Sequence, residues 1–435
     1  MDLIVALIAT FLLLIVGVFK GIFLAYPLAA VIVLFLVLAV RRGFPARDVL
    51  RMAYGGGKKS FVVVWVLMLI GILLPLWTAA GTVPAVVYWG TELIQPNLFI
   101  LFCFLISCCM SFLVGTAVGT SGVVGVALMV MAKGGGVNPA VAAGAIIAGA
   151  YFGDRCSPVS SSAAFVAAIT ETNLYENIRN MFKTGIVPFL LAVGFYAAGS
   201  PFFASQGRAS GIHSLIPQQF NLHWVVLLPA LVIIVLALLR IDIKIAMMLS
   251  ILTALIISVA LQHQSAPDLL RFIIFGFSLD DANPLHAIIT SSGVIALLKT
   301  CLVVFLASSF AGIVEGTQMM NKIETITSKA ESRTAIFANA AVTSVFGAMV
   351  GCSQTFAVML TYILNKKAYE KNGLDNSAAA IDIENTAIMI SPMIPWNIAV
   401  LAPMTVLDVG PSCMLYMAYI YLVPLWNLLY FIVKE

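Results

Sequence analysis

The sequence predicts an all-α polytopic membrane protein, and its composition and hydropathy carry that prediction. Of its 435 residues, 62% are hydrophobic and 10% are charged, whereas soluble domains average about half apolar and a quarter charged. The mean hydropathy is +1.07, and the apolar runs are long and continuous, unlike the alternating pattern of an outer-membrane barrel. They suffice for about eleven to thirteen transmembrane crossings of ~20 residues each. A soluble enzyme is therefore excluded, and the net charge of +4 does not indicate a nucleic-acid partner.

The N-terminal residues 1–60 predict a two-helix scaffold followed by a basic loop. The first apolar run, residues 3–18, lacks the basic start of a cleaved signal, so we interpret it as a retained helix. A second run over 22–40 precedes the loop. The loop sets six cations against a single acid, Asp48: Arg41, Arg42, Arg47, Arg51, Lys58 and Lys59. By the positive-inside rule this loop is cytoplasmic, and two crossings then place the N-terminus in the cytoplasm as well.

Two later stretches have similar patterns of Gly, Ser and Pro, which predicts two repeats that we expect to be inverted. Gly115 pairs with Gly347, and Ser121 with Ser353, at a sequence offset of 232. The Ser157–Pro158 and Ser391–Pro392 pairs follow at an offset of 234. The predicted organisation is a scaffold and loop over 1–60, transport repeat 1 over 61–182, connector and scaffold helices over 183–289, transport repeat 2 over 290–409, and a C-terminal helix over 410–435.

Paired interruptions of this kind predict broken helices and a secondary transporter. A helix broken inside the membrane leaves backbone groups unpaired, and hydrocarbon cannot satisfy them, so such a break persists only beside a cavity. The helix ends there carry partial charges that can meet an ion or an anionic group. The alternative is that the glycines only allow close helix packing. We favour packing for Gly115 and Gly119, and a functional break for Ser157–Pro158 and Ser391–Pro392.

The first polar cluster surrounds Asp154 and Arg155. A carboxylate and a guanidinium within an apolar run are costly at membrane depth, so they require a polar cavity. Asp154 is the candidate for ion or proton binding and the candidate sodium ligand, and Ser157, Ser160 and Ser161 are the hydroxyls that accompany it. The alternative is that the acid and its arginine neighbour lie at a loop edge in water.

Two further clusters supply neutral oxygens and a second acid. In the second repeat, Glu384 is a candidate coupling acid, while Asn385, Ser391 and Asn397 are candidate oxygen ligands. The third cluster joins the repeats and comprises Thr120, Ser121, Ser353 and Gln354. Hydroxyl and amide oxygens suit an alkali cation and a hydrogen-bonded organic solute equally well, and each residue alone could also serve packing.

Several activities lack their sequence signatures. The chain contains no phosphate-binding Gly-rich loop with Lys and Ser or Thr, no nucleophile elbow and no His-Glu-x-x-His motif. The four histidines are scattered, so no metal site is indicated. We therefore expect a protein that is not an enzyme, that needs no cofactor, and that draws its energy from an ion gradient.

Five segments resemble signatures of the NhaC-type sodium/proton antiporter family. They are residues 77–84 (WTAAGTVP), 119–129 (GTSGVVGVALM), 149–158 (GAYFGDRCSP), 173–181 (NLYENIRNM) and 391–397 (SPMIPWN). The resemblance implies a bacterial inner-membrane exchanger with inverted repeats of broken helices, and some members exchange carboxylates or carry amino acids. The chain departs from the family pattern at three positions. Ser161 begins the segment where the family commonly has Asp-Thr-Thr-Asn, and Ser353 and Asn385 stand where the family often has Asp.

These observations together predict a secondary active transporter, a sodium/proton antiporter that exchanges a cation for protons at a carboxylate near the membrane midplane. Such a carboxylate cannot hold a proton and a cation at once, so the binding of one expels the other. The alternative is a sodium- or proton-coupled amino-acid or carboxylate transporter, and a passive channel is a third class. The predicted partners are sodium and protons, or a small organic anion or amino acid, together with membrane lipid. The oligomeric state stays open between a monomer and a homodimer.

Overall fold

The computed structural model describes residues 2–93, 98–203, 215–239, 241–279, 283, 285, 289–317 and 330–435. Nearly all of this described chain is helical. Its strands are two antiparallel segments of two residues each, β1 (Gly276–Phe277) and β2 (Ser291–Ser292). The predicted all-α class is confirmed.

The helices follow one another in this order: α1 (Asp2–Phe19), α2 (Ala25–Arg41), α3 (Ala46–Lys59), α4 (Phe61–Ala79), α5 (Thr82–Leu93), α6 (Phe99–Val114), α7 (Ala117–Thr120), α8 (Val126–Gly134), α9 (Pro139–Cys156), α10 (Ser161–Ile169), α11 (Leu174–Phe203), α12 (Leu228–Leu238), α13 (Ile243–Ala260), α14 (Ala266–Phe275), α15 (Val294–Thr317), α16 (Arg333–Gly351), α17 (Gln354–Lys371), α18 (Asn376–Asn385), α19 (Ala387–Ile390), α20 (Ile398–Val406) and α21 (Ala418–Lys434). A π-helical turn, Ser121–Gly125, joins α7 to α8. Short 3₁₀ turns occupy Trp224–Leu227, Ser391–Met393 and Pro411–Tyr416.

Length and composition qualify five helices of the described chain as membrane spans, namely Phe61–Ala79, Ala117–Gly134, Leu174–Phe202, Val294–Thr317 and Arg333–Gly351. A sixth is the pair Asn376–Met393 and Ile398–Val406, which is bent by 54° at its break. Six further apolar helices are 10–17 residues long. The protein is a multi-pass membrane protein, and the number of eleven to thirteen crossings stays a prediction.

The Ala- and Gly-rich helix α9 lies at the centre of the packing, and 15 of its 18 residues are buried. It packs closely on α6 because its glycines present no side chain there. A Cβ at Gly153 would lie 2.0 Å from the carbonyl carbon of Ser111, and one at Gly149 would lie 2.5 Å from the Phe104 oxygen. The Ser111 hydroxyl then bridges the two helices, donating to the Gly149 oxygen over 2.8 Å and accepting from the Gly153 amide over 2.8 Å. This seam fixes the end of α9 that carries Asp154.

The chain leaves the helical path at two places in each half, with closely similar backbone angles. At the first break, Gly115 (φ 71°, ψ 18°) matches Cys352 (φ 51°, ψ 16°). The next residue is extended in both halves, at Thr116 (φ −148°, ψ 133°) and Ser353 (φ −142°, ψ 135°).

The second break repeats the same agreement. Ser157 (φ −83°, ψ 138°) matches Ile394 (φ −100°, ψ 114°), and the N-cap residue Ser160 (φ −69°, ψ 126°) matches the N-cap residue Asn397 (φ −76°, ψ 137°). All four pairs share a single sequence offset, 237. The pairing predicted from residue identity, at offsets of 232 and 234, is therefore wrong, because Gly347 lies inside α16 and Pro392 inside a 3₁₀ turn. The division into domains remains a prediction.

Candidate functional site

The four broken helices direct their first residues into one cavity of about 480 Å³. These residues are Ala117 of α7, Ser161 of α10, Gln354 of α17 and Ile398 of α20. A helix N-terminus presents unpaired N–H groups and a positive partial charge. Each half of the chain therefore contributes two helix N-termini to the cavity. The cavity is larger than one dehydrated ion requires.

Asp154 is the buried acid of this cavity, with 5% of its surface exposed. The Gln354 side-chain amide donates to its Oδ2 over 2.9 Å and also contacts the Ser162 hydroxyl at 3.3 Å. The Ser162 side chain and the backbone amide of Ala117 also interact favourably with the charged carboxylate. The carboxylate thus lies at the N-termini of both first-break helices, where their partial charges favour a negative group.

An ion pair stands at the outer end of the cavity. Lys59 Nζ lies 2.9 Å from the Glu315 carboxylate, and their side chains are 67% and 38% exposed, against 5% for Asp154. Gly56, Ser60 and Gly312 line the same end. The cavity therefore leads from buried Asp154 to the surface beside the end of α3.

A second cavity, of about 230 Å³, lies at the opposite end of α4. Thr78, near the end of α4, lines it, whereas Lys59 lies just before the start of this 19-residue helix. A helix of this length spans about 28 Å. Lys133 and Asp408 line the second cavity and pair at 3.3 Å. The two cavities have no lining residue in common. Of the two, only the larger cavity, which opens beside Lys59, reaches Asp154.

Arg155 is fully buried beside the cavity and joins four elements. Its guanidinium donates to Tyr419 Oη at 3.2 Å, to the Met181 oxygen at 3.2 Å and to the Thr184 hydroxyl at 3.0 Å, and it also bonds Asn385 Oδ1. Gly185 makes room for it, because a Cβ there would lie 2.6 Å from a guanidinium nitrogen. Asn385 is therefore a partner of this arginine, and not a lining residue of the cavity.

Glu384 is fully buried, and neither of its carboxylate oxygens has a hydrogen-bond partner among the described residues. It lies within electrostatic reach of Arg155 and Asp154. The Nε of Arg155 also lacks a partner within the described chain. A buried acid without hydrogen bonds is costly in its charged form.

The remaining predicted residues lie in three different settings. Ser353 lines the cavity with Asp154, Ser161 and Gln354. Thr120 and Ser121 are buried at the π-helical turn, do not line the cavity, and have hydroxyls without partners in the described structure. The other four bond backbone groups: Ser157 with Phe112, Ser160 with Asp154 and Ala163, Ser391 with Ala387, and Asn397 with Ala348 and Ala399.

A family model described as the Na+/H+ antiporter family matches residues 2–170 and 149–434 of the chain. The chain belongs to the Na+/H+ antiporter family. This family comprises antiporters, so the predicted resemblance and the prediction that the protein is not an enzyme are both confirmed.

The antiporter is similar to relatives whose names specify different substrates. It is 25% identical over 370 residues to the malate-2H(+)/Na(+)-lactate antiporter of Bacillus subtilis (strain 168), covering 83% of this chain and 79% of the relative. It is 26% identical over 351 residues to the Na(+)/H(+) antiporter NhaC of Alkalihalophilus pseudofirmus, covering 79% and 76%. It is 25% identical over 349 residues to the arginine/ornithine antiporter ArcD of Halobacterium salinarum, covering 77% and 70%.

The predicted site residues do not include three groups of the antiporter's cavity. Ser162 contacts Gln354, and Tyr151 lines the cavity one helical turn before Asp154 and donates to the Ala399 oxygen at 2.7 Å. The spacing of three residues between Tyr151 and Asp154 was a usable signal, because such residues share a helix face. Glu315 stands out in the sequence as an acid beside Gly316 and Thr317, but its pairing with Lys59, 256 positions away, could not be predicted.

The antiporter's donor set suits an alkali ion better than a transition metal. Within the described ranges, no group of three or more His, Cys, Asp or Glu side chains could hold a metal ion. Transition metals favour imidazole and thiolate ligands, whereas hard cations take carboxylate, hydroxyl and carbonyl oxygens. Asp154 with the hydroxyls of Ser161, Ser162 and Ser353 is a set of the second kind.

Proposed function

We propose that this antiporter exchanges sodium for protons across a bacterial inner membrane, and that Asp154 is the carboxylate for which the two ions compete. The observation that carries the proposal is the position of Asp154. It is a buried acid in a cavity open to one side and lined by Ser161, Ser353 and Gln354. A proton and a sodium ion neutralise the same carboxylate charge at the same oxygens, so the binding of one displaces the other.

The two cavities support transport by alternating access. The larger cavity leads to Asp154 from the Lys59 side, and the smaller one, at the other end of α4, shares none of its lining. By the positive-inside rule, the basic segment 41–59 marks the cytoplasmic side and places the N-terminus there too. The structure then corresponds to a state that is open to the cytoplasm. Rocking of the two broken-helix repeats would open the opposite side.

Glu384 is proposed as a separate proton carrier. Its carboxylate oxygens have no partner in the described chain, and it lies outside the cavity but within electrostatic reach of Asp154. A neutral, protonated side chain avoids the cost of a buried unpaired charge. Sodium binding to the ionised carboxylate of Asp154 would remove a negative charge near Glu384 and would therefore favour release of its proton.

Proton flux in proteoliposomes tests the proposal. The purified protein is reconstituted with an internal pH dye, and sodium, lithium or potassium is added outside. We expect sodium to drive a proton flux that Asp154→Asn abolishes. Asp242→Asn is the matched control, because Asp242 is an exposed N-cap that accepts the Lys244 amide, and asparagine caps helices equally well. Folded wild-type protein that moves no protons with any of the cations would overturn the proposal.

A second candidate function is exchange of an organic carboxylate or an amino acid. The specific observation in its favour is the convergence of four helix N-termini on a cavity of about 480 Å³. N-termini attract carboxylate groups, and two of the relatives are named for malate and lactate or for arginine and ornithine. Uptake of labelled dicarboxylates, monocarboxylates and basic amino acids by the same proteoliposomes tests this candidate. Saturable uptake of one class that needs sodium would favour it.

A further inference from the structure

The outward side of α3 carries a stripe of cations that the proposed function does not use. Arg47, Arg51, Tyr54 and Lys58 recur every three or four residues and are exposed, so they share one helix face. Arg41 and Arg42, at the end of α2, are exposed as well. We call this set of six residues the basic face.

The cations of the basic face have no protein partner in the described structure. None of the ion pairs of the described chain includes Arg41, Arg42, Arg47, Arg51 or Lys58. Asp48 is the sole acid of α3, and it is exposed without an ion pair in these same ranges. Lys59, the next residue after Lys58, does have a partner, Glu315. The basic face is therefore an uncompensated positive surface.

The opposite side of α3 packs closely on α15 through a contact between glycines. A Cβ at Gly56 would lie 2.3 Å from the Ser308 oxygen and 2.6 Å from the Cα of Gly312. A Cβ at Gly316 would lie 2.6 Å from Met52. Because α3 contacts α15 through this side, the basic face points away from α15. The same contact places Gly56 and Lys59 at the outer end of the Asp154 cavity.

The surroundings of the basic face match a lipid headgroup layer. Leu50 and Tyr54 are 56% and 61% exposed between the cations, and Trp65, one turn into α4, is 53% exposed. An amphipathic helix with cations flanking apolar and aromatic side chains is typical of the membrane interface, and aromatic residues concentrate at headgroup level. Cationic segments next to a span attract anionic lipids.

We propose that the basic face is a docking surface for the phosphate groups of anionic phospholipids, and that their binding holds α3 against α15 and thereby sets the width of the cavity mouth. The charge complementarity between five unpaired cations and phosphate supports the docking of the lipid. The backbone contact between α3 and α15, together with the Lys59–Glu315 pair at the mouth, supports the effect on the cavity mouth. The effect on transport rests on the proposed function, whereas the lipid binding does not.

Lipid selectivity measured by electron spin resonance tests the docking surface without any transport. The full-length protein is reconstituted in phosphatidylcholine with spin-labelled phosphatidylglycerol or spin-labelled phosphatidylcholine as the probe. We expect the wild type to immobilise the anionic probe at least threefold more than the neutral one. In Arg47→Gln/Arg51→Gln/Lys58→Gln this ratio should fall close to one, and in the wild type it should fall with added salt because salt screens exposed charges.

Two control variants separate the site from overall charge. Arg271→Gln/Lys366→Gln/Lys371→Gln removes three exposed cations elsewhere, two of which pair with acids, and it should keep the wild-type selectivity. Arg47→Lys/Arg51→Lys keeps the charge and should keep the selectivity too. Equal immobilisation of both lipid probes by the wild type would overturn the docking surface. An equal loss of lipid selectivity in Arg271→Gln/Lys366→Gln/Lys371→Gln would overturn it too.

The transport arm uses the same protein in vesicles of pure phosphatidylcholine and in vesicles containing phosphatidylglycerol. We expect sodium-driven proton flux to rise at least threefold with the anionic lipid in the wild type and to stay flat in the basic-face variant. If the wild type selects the anionic lipid but its proton flux does not rise, the proposed effect of lipid binding on the width of the cavity mouth is refuted. Absence of flux in every vesicle, with selectivity intact, would refute the proposed function and leave the docking surface standing.

Discussion

The side-chain amide of Gln354 donates a hydrogen bond to the carboxylate of Asp154 over 2.9 Å, although the two residues lie 200 positions apart in the chain. Gln354 is the first residue of α17, and its counterpart in the other half is Ala117, whose backbone amide also favours the charged form of Asp154. The first helical residue that follows the first break in each half therefore stabilises the same carboxylate, Gln354 through its side chain and Ala117 through its backbone amide.

Removal of this amide should weaken sodium binding. A hydrogen bond to a charged group is worth about 1.5–3 kcal/mol, so we expect the sodium concentration for half-maximal proton flux to rise about tenfold in Gln354→Leu. The measurement is a sodium titration in proteoliposomes. Gln219→Leu, at an exposed glutamine that does not line the cavity, serves as the control. An unchanged titration in Gln354→Leu would show that the amide does not position the carboxylate for the cation.

Glu384→Gln should impair proton transport while sodium transport continues. The variant keeps the shape and loses no hydrogen bond to the described residues, because neither carboxylate oxygen has such a partner. We expect thermal stability close to that of the wild type, sodium–sodium exchange that persists, and sodium-driven proton flux reduced at least tenfold. Radioactive sodium efflux and the pH dye measure the two reactions in parallel. Full proton flux in the variant would remove Glu384 from the proposal.

Asp382 should behave as a structural acid, in contrast to its neighbour Glu384. Both of its oxygens bond Arg333, one of them at 2.6 Å, and Tyr369 donates to it at 2.7 Å. Breaking one side of such a buried pair costs about 3–5 kcal/mol. We expect Asp382→Asn to lower the unfolding temperature in detergent markedly.

The double variant Arg333→Leu/Asp382→Leu is the matched test of that assignment. It removes both charges, so no unpaired charge remains buried, and replacement of a buried pair by apolar side chains is often neutral. We expect it to recover most of the unfolding temperature. Normal stability with lost exchange in Asp382→Asn would instead place this acid in the transport cycle.

An alanine should destabilise the protein more at the first break of the first half, Gly115, than at the first break of the second half, Cys352. Gly115 has a positive φ of 71°, and a Cβ there would lie 2.7 Å from the Val159 carbonyl carbon, so Gly115→Ala should cost more than about 2 kcal/mol. Cys352 already holds a Cβ at φ 51°, so Cys352→Ala should cost only about 1 kcal/mol for its small buried thiol. Thermal unfolding of the two variants decides this, and equal losses would contradict it.

Composition was sufficient to predict the membrane class, and proline chemistry located one break well. Pro158 has no N–H and disfavours helix at Ser157, and α9 does end there. The same reasoning placed the other break at Ser391–Pro392, a few residues early. Proline is tolerated in the first turn of a helical segment, so the chain continues through the 3₁₀ turn Ser391–Met393 and becomes extended at Ile394.

Other relationships left no trace in residue identity. Cys352 adopts the left-handed conformation that Gly115 adopts in the first half, but a search for matching glycines finds Gly347 instead. Arg155 stood next to Asp154 in the sequence, yet its partners come from α11, α18 and α21. Tertiary packing chooses such partners, and spacing along one helix does not contain that information.

The constant offset between the two halves has a consequence for anyone who re-engineers this chain. In each half, the extended residue of the second break follows that of the first after the same length of chain, Ser157 after Thr116 and Ile394 after Ser353. One inserted residue within a helix turns everything after it by about 100° and shifts it by about 1.5 Å. An insertion in either interval would therefore rotate a helix end away from Asp154. A redesigned variant therefore has to keep the chain length between the breaks as well as the residues that form them.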